Sequence, residues 1–514
     1  MALRLTGMYS GLDTDSIISQ LMKAQRTKVE AVEKKKTKLE WKVEAWNSLN
    51  SKLYSLYTGT IDNLRFTTAY ANKATTISDS SVATITASSS AITGTQELAV
   101  KQLAKSGYLT GAKISSLDNT KLTESSTLSQ LTGFTASGTG TIQVTTGSGT
   151  TTNIEVSGDT KISEVLTKLK AAGVGASFDA TNQRIFVNSK ASGAEANFTI
   201  TSTDADGKNV LGALGLDADN GAVKIEGQDA KIVLNGAEFT SSSNSFSING
   251  LNILARQETG TTTGADGKTV DKTVTISTER DYQGMYDTIK NFITQYNEII
   301  KAMDGAYNAD SAKGYEPLTD EEKESMTEDQ IKKWESKIKD SILRRDDTLS
   351  SVTTMMKSTM QSVFTINGQK YSLSSFGIDT ASYFSTDADE KGVYHIDGNS
   401  EDSKTSSKSN KLMSAITSDP ETVVSFFTSL AKEMYTKLGT RYKFIDGIRS
   451  SDKVYDDKLM DSQIDDYEDE IKKLEKKFTA MEDRYYSQFS AMETALAKLQ
   501  KNSSALAGLL GSSS

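Results

Sequence analysis

The sequence predicts an α+β multidomain protein: N- and C-terminal helices paired as a coiled-coil stem, a helical domain above it, and two inserted β-rich domains. Three observations predict this. Apolar residues recur at alternating three- and four-residue steps near both ends. From Thr75 to about Thr278 the charges thin out, and Thr, Ser, Gly, Asn and Val dominate. After Thr278 the helical periodicity returns. The β segment is therefore an insertion in a helical frame.

The N-terminal stripe is Val29, Val32, Lys36, Leu39, Val43, Trp46, Asn50, Leu53 and Tyr57, in a helix running from about Asp13 to Tyr57. Asp13, Thr14 or Asp15 can cap its start, because short polar side chains accept from free backbone N–H groups. Lys34, Lys35, Lys38 and Glu40 lie between stripe members and suit a solvated face. Two seam positions, Lys36 and Asn50, are polar; buried polar seam residues cost stability and favour reversible contacts. The C-terminal stripe is Ile464, Tyr467, Ile471, Leu474, Phe478, Met481 and Tyr485. Phe489, Met492, Leu496 and Leu499 continue it after one extra four-residue step, a stutter that locally unwinds a left-handed supercoil. Each helix of ~40 residues spans ~60 Å. Two such stripes at opposite ends of one chain predict that the ends meet.

In the middle, Asn235-Gly236 and Asn249-Gly250 each separate two apolar runs. Such dipeptides predict hairpins, because a type I′ turn needs positive φ at both central residues. Ile162 to Leu169 reads as a short helix between strands at 153–156 and 184–187. Beyond Thr278, Ile289, Phe292, Ile293, Tyr296, Ile299, Ile300 and Met303 form a helical stripe. Thr278 with Asp281, Thr319 with Glu322, and Thr327 with Gln330 read as capping-box helix starts. Asn367-Gly368 predicts a further hairpin at 364–371. The domains fall at 1–45 with 455–514 (stem), 46–74 with 280–454 (mainly helical, with a hairpin), 75–108 with 228–279 (β-rich), and 109–227 (distal, β-rich, with a small helix).

Composition excludes several chemistries. The chain of 514 residues has no cysteine and one histidine, so thiolate sites, disulfides and His-rich zinc sites are excluded. Lys+Arg 58 against Asp+Glu 67 gives a net charge of −9, so no basic face for nucleic acid is expected. No run approaches ~18 apolar residues, so no membrane insertion is expected. Met1 to Gly11 lacks the apolar centre of a cleaved secretory signal. Asp387-Ala388-Asp389-Glu390 starts like a calcium loop, but Lys391 and Gly398 stand where ligands are required. Asp204-Ala205-Asp206-Gly207 reads as a turn, and Gly133 to Gly149 as a flexible β connection. Asn197-Phe198-Thr199 fits a glycosylation pattern, and His395 reads as a surface or strand residue. No catalytic, metal or cofactor residues emerge, so an assembly component is expected, not an enzyme.

The run Ser10-Gly11-Leu12-Asp13-Thr14-Asp15-Ser16-Ile17-Ile18-Ser19-Gln20-Leu21-Met22 resembles the opening signature of the flagellar filament cap family, also called hook-associated protein 2. The resemblance continues at Gly94–Ala104, Ile162–Asn188, Asp229–Leu251, Leu318–Glu324, Trp334-Glu335, Leu343–Asp346, Gly377–Asp379 and the coil from Asp461. It implies a ring at the distal filament tip, with β domains as plate and helical ends as legs. It implies promotion of flagellin folding and insertion, and prevention of flagellin loss. The implied partners are further copies of the chain, flagellin, the hook–filament junction protein, and an export chaperone on the C-terminal region. Export through the flagellar type III route follows from the same likeness, as does motility, while cell adhesion belongs to the adhesin alternative below. On this reading the tips Leu12, Ile17, Ile18 and Leu21, with Leu506, Leu509 and Leu510, bind filament or junction subunits. The helical domain from Asp281 to about Ser450 contacts neighbours in the ring. The alternatives are another hook-associated or flagellin-like filament protein, and an adhesin holding host mucin or glycans on its β domains.

Overall fold

The computed structural model describes residues 10–263, 267–381 and 390–510, the last three by backbone alone. Met1–Tyr9, where the signal-peptide reading mostly lies, and Asp387 and Asp389 of the calcium-loop reading fall outside the described residues. The chain forms two compact units, the first up to Tyr70 and again from Tyr282, the second Ala71–Asp281.

In the first unit the N-terminal helix runs Thr14–Ser55. Asp13 is the cap, accepting from the Ser16 amide at 3.0 Å. The helix passes without a break into a six-residue π-helix, Leu56–Ile61. The C-terminal helix, Asp457–Leu510, pairs with it. Between them in sequence lie helices Tyr282–Tyr307, Asp347–Met360 and Pro420–Arg441, whose apolar faces share one core. The 289–303 stripe is buried at all seven positions. Pro420 opens its helix at the first position, where the missing N–H costs nothing. Trp46 and Leu53 belong to this core, so the upper stem seam merges into it.

Two capping boxes form as the spacing predicts. Thr319 and Thr327 each exchange bonds with the residue three along, Glu322 and Gln330. The third does not form. Thr278 is buried in strand Val274–Arg280, which pairs with Lys73–Ile77 up to the Lys73–Arg280 pair. The ladder thus holds Thr278 in extended backbone, and the helix begins at Tyr282.

The second unit has two cores. A five-stranded antiparallel sheet (73–77, 274–280, 94–102, 230–234, 237–241) and a three-stranded sheet (245–248, 251–255, 83–87) enclose Leu98, Val100, Ile232, Ile253 and Ile276. A four-stranded sheet (223–225, 106–110, 184–192, 174–179) and a three-stranded sheet (151–156, 140–146, 198–202) enclose the second core with helix Ile162–Ala171. The chain crosses between the cores at the Lys105–Gln228 bridge, closed by amide bonds of 2.9 and 3.0 Å. The three Asn-Gly pairs at hairpins have φ of about +50° and +83°, as a type I′ turn needs: Asn235 φ 50 and Gly236 φ 84, Asn249 φ 49 and Gly250 φ 83, Asn367 φ 52 and Gly368 φ 82.

Two local readings change. Asp204 is a helix cap, accepting from the Gly207 amide ahead of helix Ala205–Ala213, so the segment is a helix start and no free turn. The Gly133–Gly149 run contains an ordered strand, Gly140–Thr146, with Ile142 and Val144 buried. A Cβ on Gly140 would sit 2.5 Å from the Gly207 nitrogen, so glycine is required where this strand meets the helix start.

Candidate assembly surface

The stem helices pair antiparallel. Lys36 Nζ lies 2.9 Å from Glu468 Oε1, the Arg26 guanidinium lies 5.9 Å from the Phe478 ring centroid, and Ser10 hydrogen-bonds Glu493. Ten residues along one helix thus match ten back along the other. This register sets Val32 across from Ile471, Val29 from Leu474, and Leu39 near Ile464.

On the N-terminal helix Val29, Val32, Trp46 and Leu53 are buried, while Leu39 and Val43 are half-buried. On the C-terminal helix Ile464, Tyr467, Ile471, Leu474, Phe478, Met481 and Tyr485 are all half-buried, and the stripe reappears in the accessibility. The reason is geometric: one partner helix covers a seam side chain from one side only. The stem therefore presents a partly open apolar seam along its length.

The tips divide. Leu12, Leu21 and Leu506 are 48%, 43% and 59% exposed, and Ile17 is half-buried. Ile18 is only 1% exposed, which corrects its placement among free tip residues. With buried Met22 it continues the seam by the same four- and three-residue steps through Gln25 to Val29. That extension was readable in the sequence, but the polar Gln25 hid it. The side chains of Leu509 and Leu510 lie outside the described residues.

The two polar seam positions behave differently from expectation. Asn50 is 3% exposed, and both ends of its amide are used. Its Nδ2 donates to the Asp452 carbonyl at 2.8 Å, and its Oδ1 accepts from the Val454 amide at 3.1 Å. It therefore pins the segment entering the C-terminal helix, where loosening was expected. Lys36 bridges Glu468 and, at 3.3 Å, Glu40. The Glu468 bond chiefly raises the Lys36 pKa, and the same pair holds Glu468 below its usual range.

A collar surrounds Asn50. Trp46 stacks on Tyr455 at 5.3 Å between centroids, and the Tyr455 hydroxyl donates to Asn47 at 2.8 Å. Burial pushes the Tyr455 phenol up to about 12. Arg449 binds Asp456 and, at 3.2 Å, the Arg441 carbonyl. Ser450 donates to Asp457 from its amide at 2.8 Å and its hydroxyl at 2.6 Å. Burial raises the Asp457 pKa, but the Ser450 bonds outweigh it and hold the carboxyl below its ordinary value.

The lysine face is also partnered. Lys34, Lys38 and Lys42 pair with Glu322 at 3.1 Å, Glu316 at 2.6 Å and Asp346 at 2.8 Å. All three acids come from 316–346, whose helix Glu328–Asp340 packs against the N-terminal helix. The expectation of a freely solvated face at Lys34 and Lys38 is corrected: the segment braces the stem. Sequence spacing could show the lysine row but not acids ~300 residues away.

The remaining motifs carry no site. His395 lies in strand Tyr394–Ile396, with Nδ1 2.6 Å from Asp402 and Nε2 3.3 Å from Glu390. The Asn197 amide is tied to the Gly227 backbone at 2.6 and 3.3 Å, which occupies the group that glycosylation needs. Among the described residues no acid, His or Cys cluster suits a metal ion, and no helix is long and apolar enough to cross a membrane.

The family described as Flagellar hook-associated protein 2 C-terminus matches residues 227–501, more than half the chain. Its N-terminal counterpart matches residues 10–107. The chain belongs to the flagellar hook-associated protein 2 family. Flagellar hook-associated protein 2 of Halalkalibacterium halodurans is 23% identical over 96% of both chains. The A-type flagellar hook-associated protein 2 of Pseudomonas aeruginosa is 28% identical over 58% of this chain and 62% of its own. Among solved structures, the D1-D2-D3 domains of the flagellar cap protein FliD from Escherichia coli align over 77% of this chain and 97% of theirs. That alignment has 18% identity and a TM-score of 0.49. The hook-associated protein 2 matches together span the stem, the brace and the first β core, including Ser10–Met22 and the C-terminal seam.

Proposed function

We propose that the protein is a structural, non-catalytic cap at the distal end of the bacterial flagellar filament. It promotes folding and insertion of exported flagellin and prevents its loss. Family membership supports this reading, and one structural observation carries it: a long antiparallel stem with a half-open apolar seam and exposed leucines toward its tip. Such a stem offers apolar area worth roughly 25 cal/mol per Å² to a helical partner without unfolding the rest of the molecule.

In this reading the chain works as a homo-oligomeric ring. The half-open seam and Leu12, Leu21 and Leu506 meet flagellin or the hook–filament junction protein. The C-terminal helix engages an export chaperone before passage through the flagellar type III route. The domain division at 1–45/455–514, 46–74/280–454, 75–108/228–279 and 109–227 gives legs, ring contacts and plate.

The test is complementation. A strain lacking its own cap would receive this sequence, and flagellin would be quantified in medium and in filaments. The proposal expects flagellin to move from medium to filament. Flagellin remaining in the medium, with the protein exported and folded, would count against it.

A further inference from the structure

Three of the four Asn-Gly pairs are hairpin turns of one backbone conformation, with alike preceding residues, Leu234, Ile248 and Ile366; the fourth, Asn220-Gly221, ends a 3-10 turn, and its amide donates to Asp217 at 3.2 Å. Local sequence alone would make them equally prone to deamidation. Their surroundings differ. The Asn235 carboxamide is held at both ends: Oδ1 accepts from the Glu97 amide at 2.9 Å, and Nδ2 donates to Gln96 at 3.2 Å. Its hairpin sits in the five-stranded sheet. Asn249 is exposed, but Gly250 is clamped. The Gly250 carbonyl accepts from the Ser88 amide at 2.8 Å, and a Cβ there would lie 2.7 Å from the Ala91 nitrogen.

Asn367 has none of these ties. It and Gly368 are both exposed, and no side-chain hydrogen bond holds its amide among the described residues. Nothing lies within 4 Å of a Cβ placed on Gly368. The turn closes a two-stranded hairpin, 364–366 with 369–371, with no further strand beside it among the described residues.

We infer that Asn367 is a spontaneous modification site, converting to aspartate and isoaspartate through a succinimide while Asn235 and Asn249 are protected. The Gly368 backbone nitrogen attacks Asn367 Cγ, forming a C–N bond. The Cγ–Nδ2 bond breaks, and Nδ2 leaves as ammonia with the proton lost by Gly368. Water then opens the ring at either carbonyl, with no change of oxidation state. In all three turns the peptide unit must rotate before attack, so the rate follows local opening. Hydrogen bonds and strand neighbours oppose opening at Asn235 and Asn249, while the turn at Asn367 is closed by a three-pair hairpin.

The product has a structural consequence. Isoaspartate lengthens the backbone by one methylene and adds a negative charge at a turn that requires positive φ. The hairpin anchors through Phe364, whose ring meets Phe426 of the helical core at 5.6 Å, edge to face. Conversion at Asn367 therefore loosens Phe364 from that core.

The test is peptide mapping by mass spectrometry, with isoaspartate detection, on the full chain held at mildly alkaline pH. Folded protein is compared with protein in denaturant. In the folded chain, conversion at Asn367 should exceed that at Asn235 and Asn249 by at least about tenfold, the scale expected for losing one or two net hydrogen bonds on opening. In denaturant the three rates should converge. Equal rates in the folded chain would overturn the assignment. So would an unchanged Asn367 in folded protein whose denatured form converts.

Discussion

Replacing Asn50 by Leu tests the collar. The side chains are of similar volume, so no large cavity opens. The change leaves the Asp452 carbonyl and the Val454 amide without their partner. Each buried group left unpaired costs ~1–3 kcal/mol, and added apolar burial offsets part of this, so a loss of about 2–4 kcal/mol is expected. The measurement is urea unfolding followed by tryptophan emission, since Trp46 stacks on Tyr455 beside the bond. Hydrogen exchange at the Val454 amide should quicken in parallel. Asn47→Ala is the control: Asn47 makes one bond, to the Tyr455 hydroxyl, and its loss should cost about 1 kcal/mol. A cost below about 0.5 kcal/mol for Asn50→Leu, the range of ordinary surface changes, would refute the clamp. Asn50 would then be a tolerated polar seam residue.

Other expectations follow from the same geometry. Lys38→Glu should weaken the brace by no more than about 1 kcal/mol, because the pair is substantially exposed, and Glu316→Lys in the same chain should restore it. A double-mutant cycle by urea unfolding checks this, and absence of rescue would contradict the pairing. Asp457 has a depressed folded pKa, so its contribution is present above the ordinary value of ~3.9 and is lost as pH falls through the folded value. Asp457→Asn should therefore show a smaller stability drop between neutral pH and pH ~3 than the parent, measured by urea midpoints; an identical drop would exclude Asp457 from acid sensitivity. Leu506→Ser should change stability by less than about 0.5 kcal/mol, because the side chain is 59% exposed. It should nonetheless reduce retention of the protein on isolated filaments, read by immunoblot.

Periodic features were legible in the sequence. The C-terminal stripe appears as seven half-buried positions, and the 289–303 stripe as seven buried ones. The Asn-Gly turns were legible because positive φ is a local demand that few residues meet. Long-range pairing was not legible. Asn50 looked like a defect in a seam, and only the fold brings the 452–454 backbone to its amide. Lys34 and Lys38 looked solvated until the brace supplied their acids. Thr278 carried a capping pattern, but strand pairing with Thr75 overrode it. Ile18 looked like a free apolar tip because Gln25 interrupted the seam that buries it. The π-helix at Leu56–Ile61 gave no sequence signal, and it lies where the stem seam joins the helical core.

The central claim is that the paired stem carries the capping function. The most direct measurement introduces Val29→Asp with Leu474→Asp, facing positions in the antiparallel register, into the cap-deficient strain. Two carboxylates in one seam layer repel and lose their hydration, so the stem should separate while residues 71–281 remain folded by limited proteolysis. The account predicts that the variant is exported but leaves flagellin in the medium, with few or no filaments. Filaments of normal number and length, with flagellin retained, would contradict it.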